Sequence, residues 1–382
     1  MATAKVRIGF QGIPGALTEG AIQSLYQIHG RPAFGGHGLD IVPFETIDQL
    51  FQALYDHGID HLLIPIETTQ SGTIHSTMDR LISARPPLYM TGEFIYSEPY
   101  CLLAPAGTRL ADIREIHSHS SVLEQCHRFI TQGLPQSPHI VCVQAASTAS
   151  GARRVAELAR HDRLSLLHHM RLVDGPRLPT TSYTQHGVRP TSVDVSYRAA
   201  IAGASAARLY HLEVLDTSSS SGSGPRNSRA NRTGTGSEVG VGTTGSGSGS
   251  PTHPSFPLGP ADQSHQALTR YALVSPQPVE PERHQDPKTS LAITVANRSG
   301  SLFKVLGCFA LRDINVCKLE SRPSRRSSRR SRLSAPWEYV IYVDVDGSEN
   351  IDDPVRHAIA NLREFADKVQ VLGCYPRYTP LD

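Results

Sequence analysis

The chain has 382 residues, of which 39% are hydrophobic and 19% charged, and its formal net charge is +2. That length accommodates two or three domains, each with its own core, and the near-neutral charge gives no global attraction for nucleic acid or an acidic membrane surface. No run approaches the roughly 18 apolar residues of a membrane span. The six cysteines (Cys101, Cys126, Cys142, Cys308, Cys317 and Cys374) contain no C-x-x-C pair and no zinc-like spacing with histidine. They are read as reduced thiols, and the opening MATAKVRIGF, with no apolar signal core, leads to the expectation of a soluble cytoplasmic protein.

The first predicted strand, at 6–10, runs into a tight turn, Gln11-Gly12-Ile13-Pro14-Gly15. A helix opened by Thr18-Glu19 follows, with Ala21, Ile22, Leu25 and Tyr26 on its apolar face. Next come a strand at 41–44, a helix at 46–55 with Ile47, Leu50, Phe51 and Leu54 on one side, and a buried strand at 61–66. The polar loop Glu67-Thr68-Thr69-Gln70-Ser71-Gly72 then leads to a helix at 76–82. Such alternation predicts an open parallel sheet, in which ligands bind at the carboxyl ends of the strands. The loops at 11–15 and 67–72 lie at such ends.

A second α/β section starts near residue 92, with strands at 94–96 and 100–104 and a segment Ile116-His117-Ser118-His119-Ser120. It continues with a helix at 122–130, a strand at 140–143, a helix at 148–159, and an Ala-rich segment at 199–209 before a strand at 212–215. Two α/β lobes predict a cleft between them. Two stretches interrupt this section. Residues 161–197 mix Pro, His and Arg without a period, and 217–250 are mostly Ser, Gly and Thr. The latter has too few apolar side chains to offset the entropy of ordering and is read as a disordered insertion extending to 265. His168-His169 has no acidic partner at ligand spacing, and His117 and His119 would face opposite ways on a strand, so neither pair is read as a metal site.

A β-rich run at 268–274 and a Pro-rich linker precede the last section. There the pattern reads strand 290–296, helix 302–311, strand 314–321, strand 338–345 in a hairpin relation to it, helix 355–365 and strand 369–372. This βαββαβ order is the ferredoxin-like plan. Between its middle strands, 322–332 carry six arginines interleaved with serines. A solvated hairpin loop accounts for them more simply than nucleic-acid binding, and phosphorylation of those serines would change the local charge.

Several blocks stand in a telling order. They are Gly9-Phe10-Gln11-Gly12-Ile13-Pro14-Gly15-Ala16 with Thr18-Glu19, Ile64-Pro65-Ile66-Glu67 with Ser71-Gly72, His117-Ser118-His119 with Gln125-Cys126, and Ser147-Thr148-Ala149. Ala199-Ala200-Ile201 with Ala206-Ala207 and Leu209-Tyr210, then Thr269-Arg270-Tyr271, come next. The last section adds Arg298-Ser299-Gly300-Ser301-Leu302, Glu320-Ser321-Arg322-Pro323 and Leu372-Gly373-Cys374-Tyr375-Pro376. Together they resemble the prephenate dehydratases and their plant relatives, the arogenate dehydratases, with a regulatory ACT domain at the C-terminal end. The resemblance implies a two-lobed, periplasmic-binding-protein-like α/β catalytic domain over 1–276. Lobe 1 would be about 1–91 plus 270–276, and lobe 2 about 92–269 with insertions at 161–197 and 217–265. A linker at 277–288 and a ferredoxin-like ACT domain at 289–378 would complete the chain.

The implied activity is that of a carbon–oxygen lyase, the decarboxylative dehydration of prephenate to phenylpyruvate, or of arogenate directly to phenylalanine. Loss of carbon dioxide and hydroxide makes an aromatic ring, so no metal or organic cofactor is required. What is required is a donor at the departing oxygen and clamps for the carboxylates. The resemblance assigns the donor to Thr269 and substrate contacts to Glu67, Thr68, Thr69, Ser118, Gln125, Ser147, Thr148 and Arg270. Each position also has a plain structural account. Thr269 is a β-branched strand residue, Glu67, Ser118 and Ser147-Thr148 are candidate caps, and Arg270 is a candidate for an ion pair. Thr68 stands where the family usually has Asn, a hydroxyl in place of an amide, with Thr69 as a substitute for it. For the ACT section the resemblance implies phenylalanine as effector, met by Asn297, Gly300, Ser301, Leu302, Glu320, Ser321, Arg322 and Pro323, and assembly as a homodimer or homotetramer. A non-catalytic, amino-acid-sensing binding protein is the alternative from another class.

Overall fold

The computed structural model describes residues 5–34, 37–97, 99–135, 139–173, 197–215, 268–323 and 339–378. They form two compact units, one made of 1–98 with 265–382 and the other of 99–264.

In the first unit β1 (Lys5–Gln11), β2 (Gly38–Phe44) and β3 (His61–Thr68) are parallel neighbours, connected by α1 (Leu17–Phe34) and α2 (Ile47–Tyr55). A capping box starts α2: Gln49 N donates to Thr46 Oγ1 and Thr46 N to Gln49 Oε1, each at 3.2 Å. Leu50, Phe51 and Leu54 are its buried stripe. The short β4 (Gly72–Thr73) folds back on β3, and α3 (His75–Ser83) and β5 (Tyr89–Tyr96) follow.

The second unit holds β6 (Tyr100–Ala104), β7 (Glu115–Ser118), α4 (Ser120–Gln125), β8 (Val141–Gln144), α5 (Thr148–Val173), β9 (Arg198–Gly203), α6 (Ala204–Tyr210) and β10 (Glu213–Val214). Its sheet order is β10-β6-β9-β7-β8. Three expectations are corrected here. The helix predicted to end at 159 continues to Val173, because no Gly or Pro occurs before Gly175-Pro176. Leu164 on this continuation is 60% exposed. The Ala-rich segment divides at Gly203 into a strand and a helix. His119 is the N-cap of α4, not a strand residue facing away from His117. The remainder of the two predicted insertions, 174–196 and 216–267, lies outside the described residues, as does 324–338 with most of the arginine-rich segment.

The chain then returns to the first unit with β11 (Thr269–Ser275), which enters between β3 and β5 and is antiparallel to both. The all-parallel sheet is therefore corrected to a mixed one. Tyr271, Ala272, Leu273 and Val274 are all buried, as a strand with neighbours on both sides requires. Two boundaries move with it. β5 pairs with β11 from Tyr89 to Tyr96, so the first unit extends past the predicted limit near 91–92, and Thr269 belongs to this sheet and not to the second lobe.

The last section comprises β12 (Lys288–Thr294), α7 (Ser301–Ala310), β13 (Val316–Pro323), β14 (Tyr339–Asp346), α8 (Asp353–Phe365) and β15 (Lys368–Tyr375). Its sheet order is β13-β14-β12-β15, the ferredoxin-like arrangement. β16 (Arg377–Tyr378) then joins the edge of the first sheet beside β5. One face of the four-stranded sheet, with Leu291, Ile293, Ile341 and Val343, packs beneath Val305, Phe309, Ile359 and Leu362 of its helices. The other, with Ala292, Tyr342, Leu372 and Tyr375, shares a core with Leu62, Ile64, Met90, Ala272 and Val274 of the first sheet. The two sheets approach closely at Gly373, where a Cβ would lie 2.1 Å from the Met90 carbonyl oxygen. Gly373→Ala is expected to cost about 1–3 kcal/mol by overpacking against backbone that cannot swing aside. An unchanged urea midpoint for that variant would contradict the close approach.

Candidate active site

Thr269 opens β11 opposite Thr68 of β3 and Tyr96 of β5, and residues directly opposite in a sheet share a face. Its side chain is half-buried, and among the described residues its hydroxyl has no hydrogen-bond partner. The residues around it are tied down. Leu268 N donates to Thr69 Oγ1 at 3.1 Å, and Thr69 N donates to Leu268 O at 3.0 Å. Thr68 Oγ1 accepts from Ser71 N at 2.9 Å and lies 2.6 Å from Ser71 Oγ. Thr68 and Thr69, assigned as substrate contacts by resemblance, thus use their hydroxyls to shape the β3–β4 turn and to lock it to the start of β11.

Arg270 is directed elsewhere. A register shift between Arg270 and Tyr271 marks this end of β11, and Arg270 pairs with Glu67 across the ladder to β3. Its Nη1 lies 3.2 Å from Glu67 Oε2 and donates to Asp344 Oδ2 at 3.1 Å, while Nε is 3.8 Å from Glu93 Oε2. Lys288 Nζ donates to both oxygens of Glu93 at 2.8 Å, and Lys318 Nζ is 3.0 Å from Glu67 Oε1. Ser290 Oγ donates to Asp344 Oδ1 at 2.6 Å and is 2.6 Å from Tyr375 Oη. Three carboxylates and three cations therefore balance in a cluster where Glu93, Lys288 and Asp344 are buried. Burial lowers the Arg270 pKa, but Glu93, Glu67 and Asp344 together outweigh it and raise the value above that of free arginine. Burial raises the Asp344 pKa, against the opposing pull of the Ser290 hydrogen bond, Lys288 and Arg270. Of the two readings of Arg270, the ion pair is the one seen: three protein carboxylates lie within 4 Å of its guanidinium. Glu67 is a partner in the same cluster, not a turn cap.

Glu93, Lys288, Lys318 and Asp344 escaped the sequence reading. The available signal was a charged residue inside an otherwise apolar strand, as in Val343-Asp344-Val345.

The second unit carries the other assigned contacts. Ser118 is fully buried and its hydroxyl donates to Ile201 O at 2.6 Å, so it joins β7 to β9 and does not cap α4. Ser147 and Ser150 form a reciprocal cap, with Ser150 N donating to Ser147 Oγ at 3.0 Å and Ser147 N to Ser150 Oγ at 2.7 Å. Thr148 is buried at the start of α5, and Gln125 is exposed at the end of α4.

Of the assigned effector residues, Gly300 holds the left-handed conformation (φ 79°) just before α7, Ser301 begins that helix, and Leu302 and Asn297 are exposed. Residues 320–323 alternate along β13. Glu320 Oε1 is 3.2 Å from His75 Nδ1 and Arg322 Nη2 is 3.0 Å from Asp79 Oδ2, both on α3, whereas Ser321 and Pro323 are exposed. The four residues are therefore not one pocket wall. Among the described residues no group of three or more His, Cys, Asp or Glu side chains is placed to hold a metal ion, and no helix is long and apolar enough to cross a membrane.

A family model described as prephenate dehydratase matches residues 8–221. Arogenate dehydratase/prephenate dehydratase 1, chloroplastic, of Arabidopsis thaliana is 27% identical over 379 residues, covering 97% of this chain and 72% of that protein. The solved structure of prephenate dehydratase from Arthrobacter aurescens, in complex with L-Phe, has a TM-score of 0.63 at 22% identity and covers 97% of this chain and 90% of that one. A structure described as GqqA, a novel type of quorum-quenching acylase, has a TM-score of 0.62 at 22% identity, with 97% and 98% of the two chains covered.

Proposed function

This chain belongs to the prephenate dehydratase family, and from that membership we propose that it converts prephenate to phenylpyruvate with loss of carbon dioxide and water. The observation that carries the proposal is Thr269, whose hydroxyl has no partner among the described residues, while Leu268 and Arg270 on either side of it are each bound to β3 or the turn after it. In the reaction the ring carboxylate leaves as carbon dioxide, its bonding electrons pass into the ring, and the ring C–O bond breaks with its electron pair leaving on oxygen, which takes up a proton to become water. A hydroxyl aimed at the departing oxygen lowers that barrier by hydrogen bonding, and partial desolvation strengthens the bond.

Arogenate is the second substrate reading, supported by the name of the Arabidopsis thaliana relative. Feedback by phenylalanine is part of the proposal, supported by the ferredoxin-like section and by the L-Phe complex of the Arthrobacter aurescens neighbour. Assembly as a dimer or tetramer is supported by the edge position of β13, where Leu319 is exposed.

Purified protein given prephenate is expected to form phenylpyruvate, and given arogenate, phenylalanine, and the larger kcat/KM identifies the substrate. Turnover of neither would end the enzyme reading and leave the amino-acid-binding alternative. Phenylalanine at millimolar concentration is expected to slow turnover and to raise the thermal midpoint, and no effect on either would remove the feedback.

A further inference from the structure

We propose that Lys318, in the C-terminal βαββαβ section, is a positioning residue for Thr269. The idea rests on the reading of Thr269 as the hydroxyl that meets the substrate. The Lys318 side chain is only 10% exposed, and its ammonium donates to Thr73 Oγ1 at 2.5 Å and lies 3.0 Å from Glu67 Oε1. Glu67 and Thr73 are register partners across β3 and β4. One ammonium therefore staples the base of the hairpin whose tip carries Thr68 and Thr69. A lysine suits this place because its donors diverge toward separate acceptors.

Two contacts carry the staple to Thr269. At the tip, the Thr69–Leu268 pair of hydrogen bonds fixes the residue immediately before it. At the base, the second oxygen of Glu67 meets Arg270, the residue immediately after it. Thr269 is thus held from both sides by a hairpin that Lys318 closes. Without the ammonium, Glu67 would depend on Arg270 alone, and Arg270 also serves Glu93 and Asp344. Lys318 shares its face of β13 with Glu320 and Arg322, which grip α3 through His75 and Asp79. A ligand that displaced β13 would accordingly pull on the turn beside Thr269 within one chain.

The test compares Lys318→Met and Lys318→Arg with Arg377→Met. Arg377 on β16 is a matched control, because its side chain makes ion pairs to Asp346 of β14 and to Asp286 and, among the described residues, none to the hairpin. Amide exchange is followed at Thr69, Ser71 and Leu268, and steady-state kinetics on the substrate that is turned over. Lys318→Met is expected to exchange these amides about tenfold faster and to lower kcat by about tenfold with KM little changed, a loss equivalent to ~1.4 kcal/mol. Lys318→Arg is expected to restore both, and Arg377→Met to leave both at wild-type values. Unchanged exchange in Lys318→Met, or an equal rise in Arg377→Met, would overturn the proposal. Should the wild-type protein turn over neither prephenate nor arogenate, the dehydratase reading falls, while the exchange rates still decide whether Lys318 holds this segment.

Discussion

Thr269→Ala is expected to lower kcat by about 10²–10³-fold, the loss typical when one donor to developing negative charge is removed. KM and the thermal midpoint are expected to stay near their wild-type values. The reason is the same isolation that marks the residue. Its hydroxyl has no partner among the described residues, so removing it breaks no bond seen among them. The Cβ that alanine keeps stays in place on a strand paired with both β3 and β5. Thr269→Ser, which retains the donor and loses only the branch, is expected to recover much of the rate. Full activity in the alanine variant would take the leaving-group role away from Thr269. A large drop in midpoint would show instead that the hydroxyl supports the sheet.

Arg270→Met is expected to do the opposite, costing about 3–5 kcal/mol of stability because it leaves buried carboxylates without their cation. At about 2–4 °C per kcal/mol this lowers the thermal midpoint by roughly 10 °C. Glu67, Glu93 and Asp344 would then be left with two lysines. The sign of the pH dependence follows from Asp344. Burial already raises its pKa in the folded chain, and loss of Arg270 would raise it further. A carboxyl with a raised folded pKa favours the native state below its unfolded value and loses that contribution as pH rises through the folded value. The deficit of the variant is therefore expected to be larger at about pH 8 than at about pH 5. A deficit that grew on acidification would show that Arg270 is not what compensates Asp344.

The two neighbours Thr269 and Arg270 also show what could be read from sequence. The β-rich run containing both was legible, because hydrophobic and β-branched residues cluster there. The βαββαβ order was legible for a similar reason, since each of its helices carries a clear apolar stripe. The slot that β11 occupies was not, because its ladder partner β3 lies some two hundred residues away and pairing leaves no local period. The charge cluster was hidden in the same way. Glu67, Glu93, Lys288, Lys318 and Asp344 come from five strands, and each looks locally like an isolated surface charge. Ser118 failed for want of a visible partner: the Ile201 carbonyl that takes its hydroxyl is brought beside it only by folding of the second unit. The alternation of Lys318, Glu320 and Arg322 was available in the sequence, but a family motif that treats 320–323 as one patch conceals its two faces.

The late arrival of β11 and β15 has a consequence for biogenesis. Until Thr269–Ser275 leaves the ribosome, β3 lacks the neighbour it has in the finished sheet. Until Lys368–Tyr375 follows, the apolar face that receives Leu372 and Tyr375 remains uncovered. Residues 99–264 can meanwhile close their own core, because that unit is continuous in the chain. At about 5–20 residues per second the interval lasts on the order of tens of seconds. During it the segment His-Leu-Leu-Ile-Pro-Ile is an open, largely apolar strand edge. The nascent protein therefore carries uncovered apolar strand surface until β15 emerges, and a chain ending between β3 and β11 is expected to aggregate more readily than the full chain.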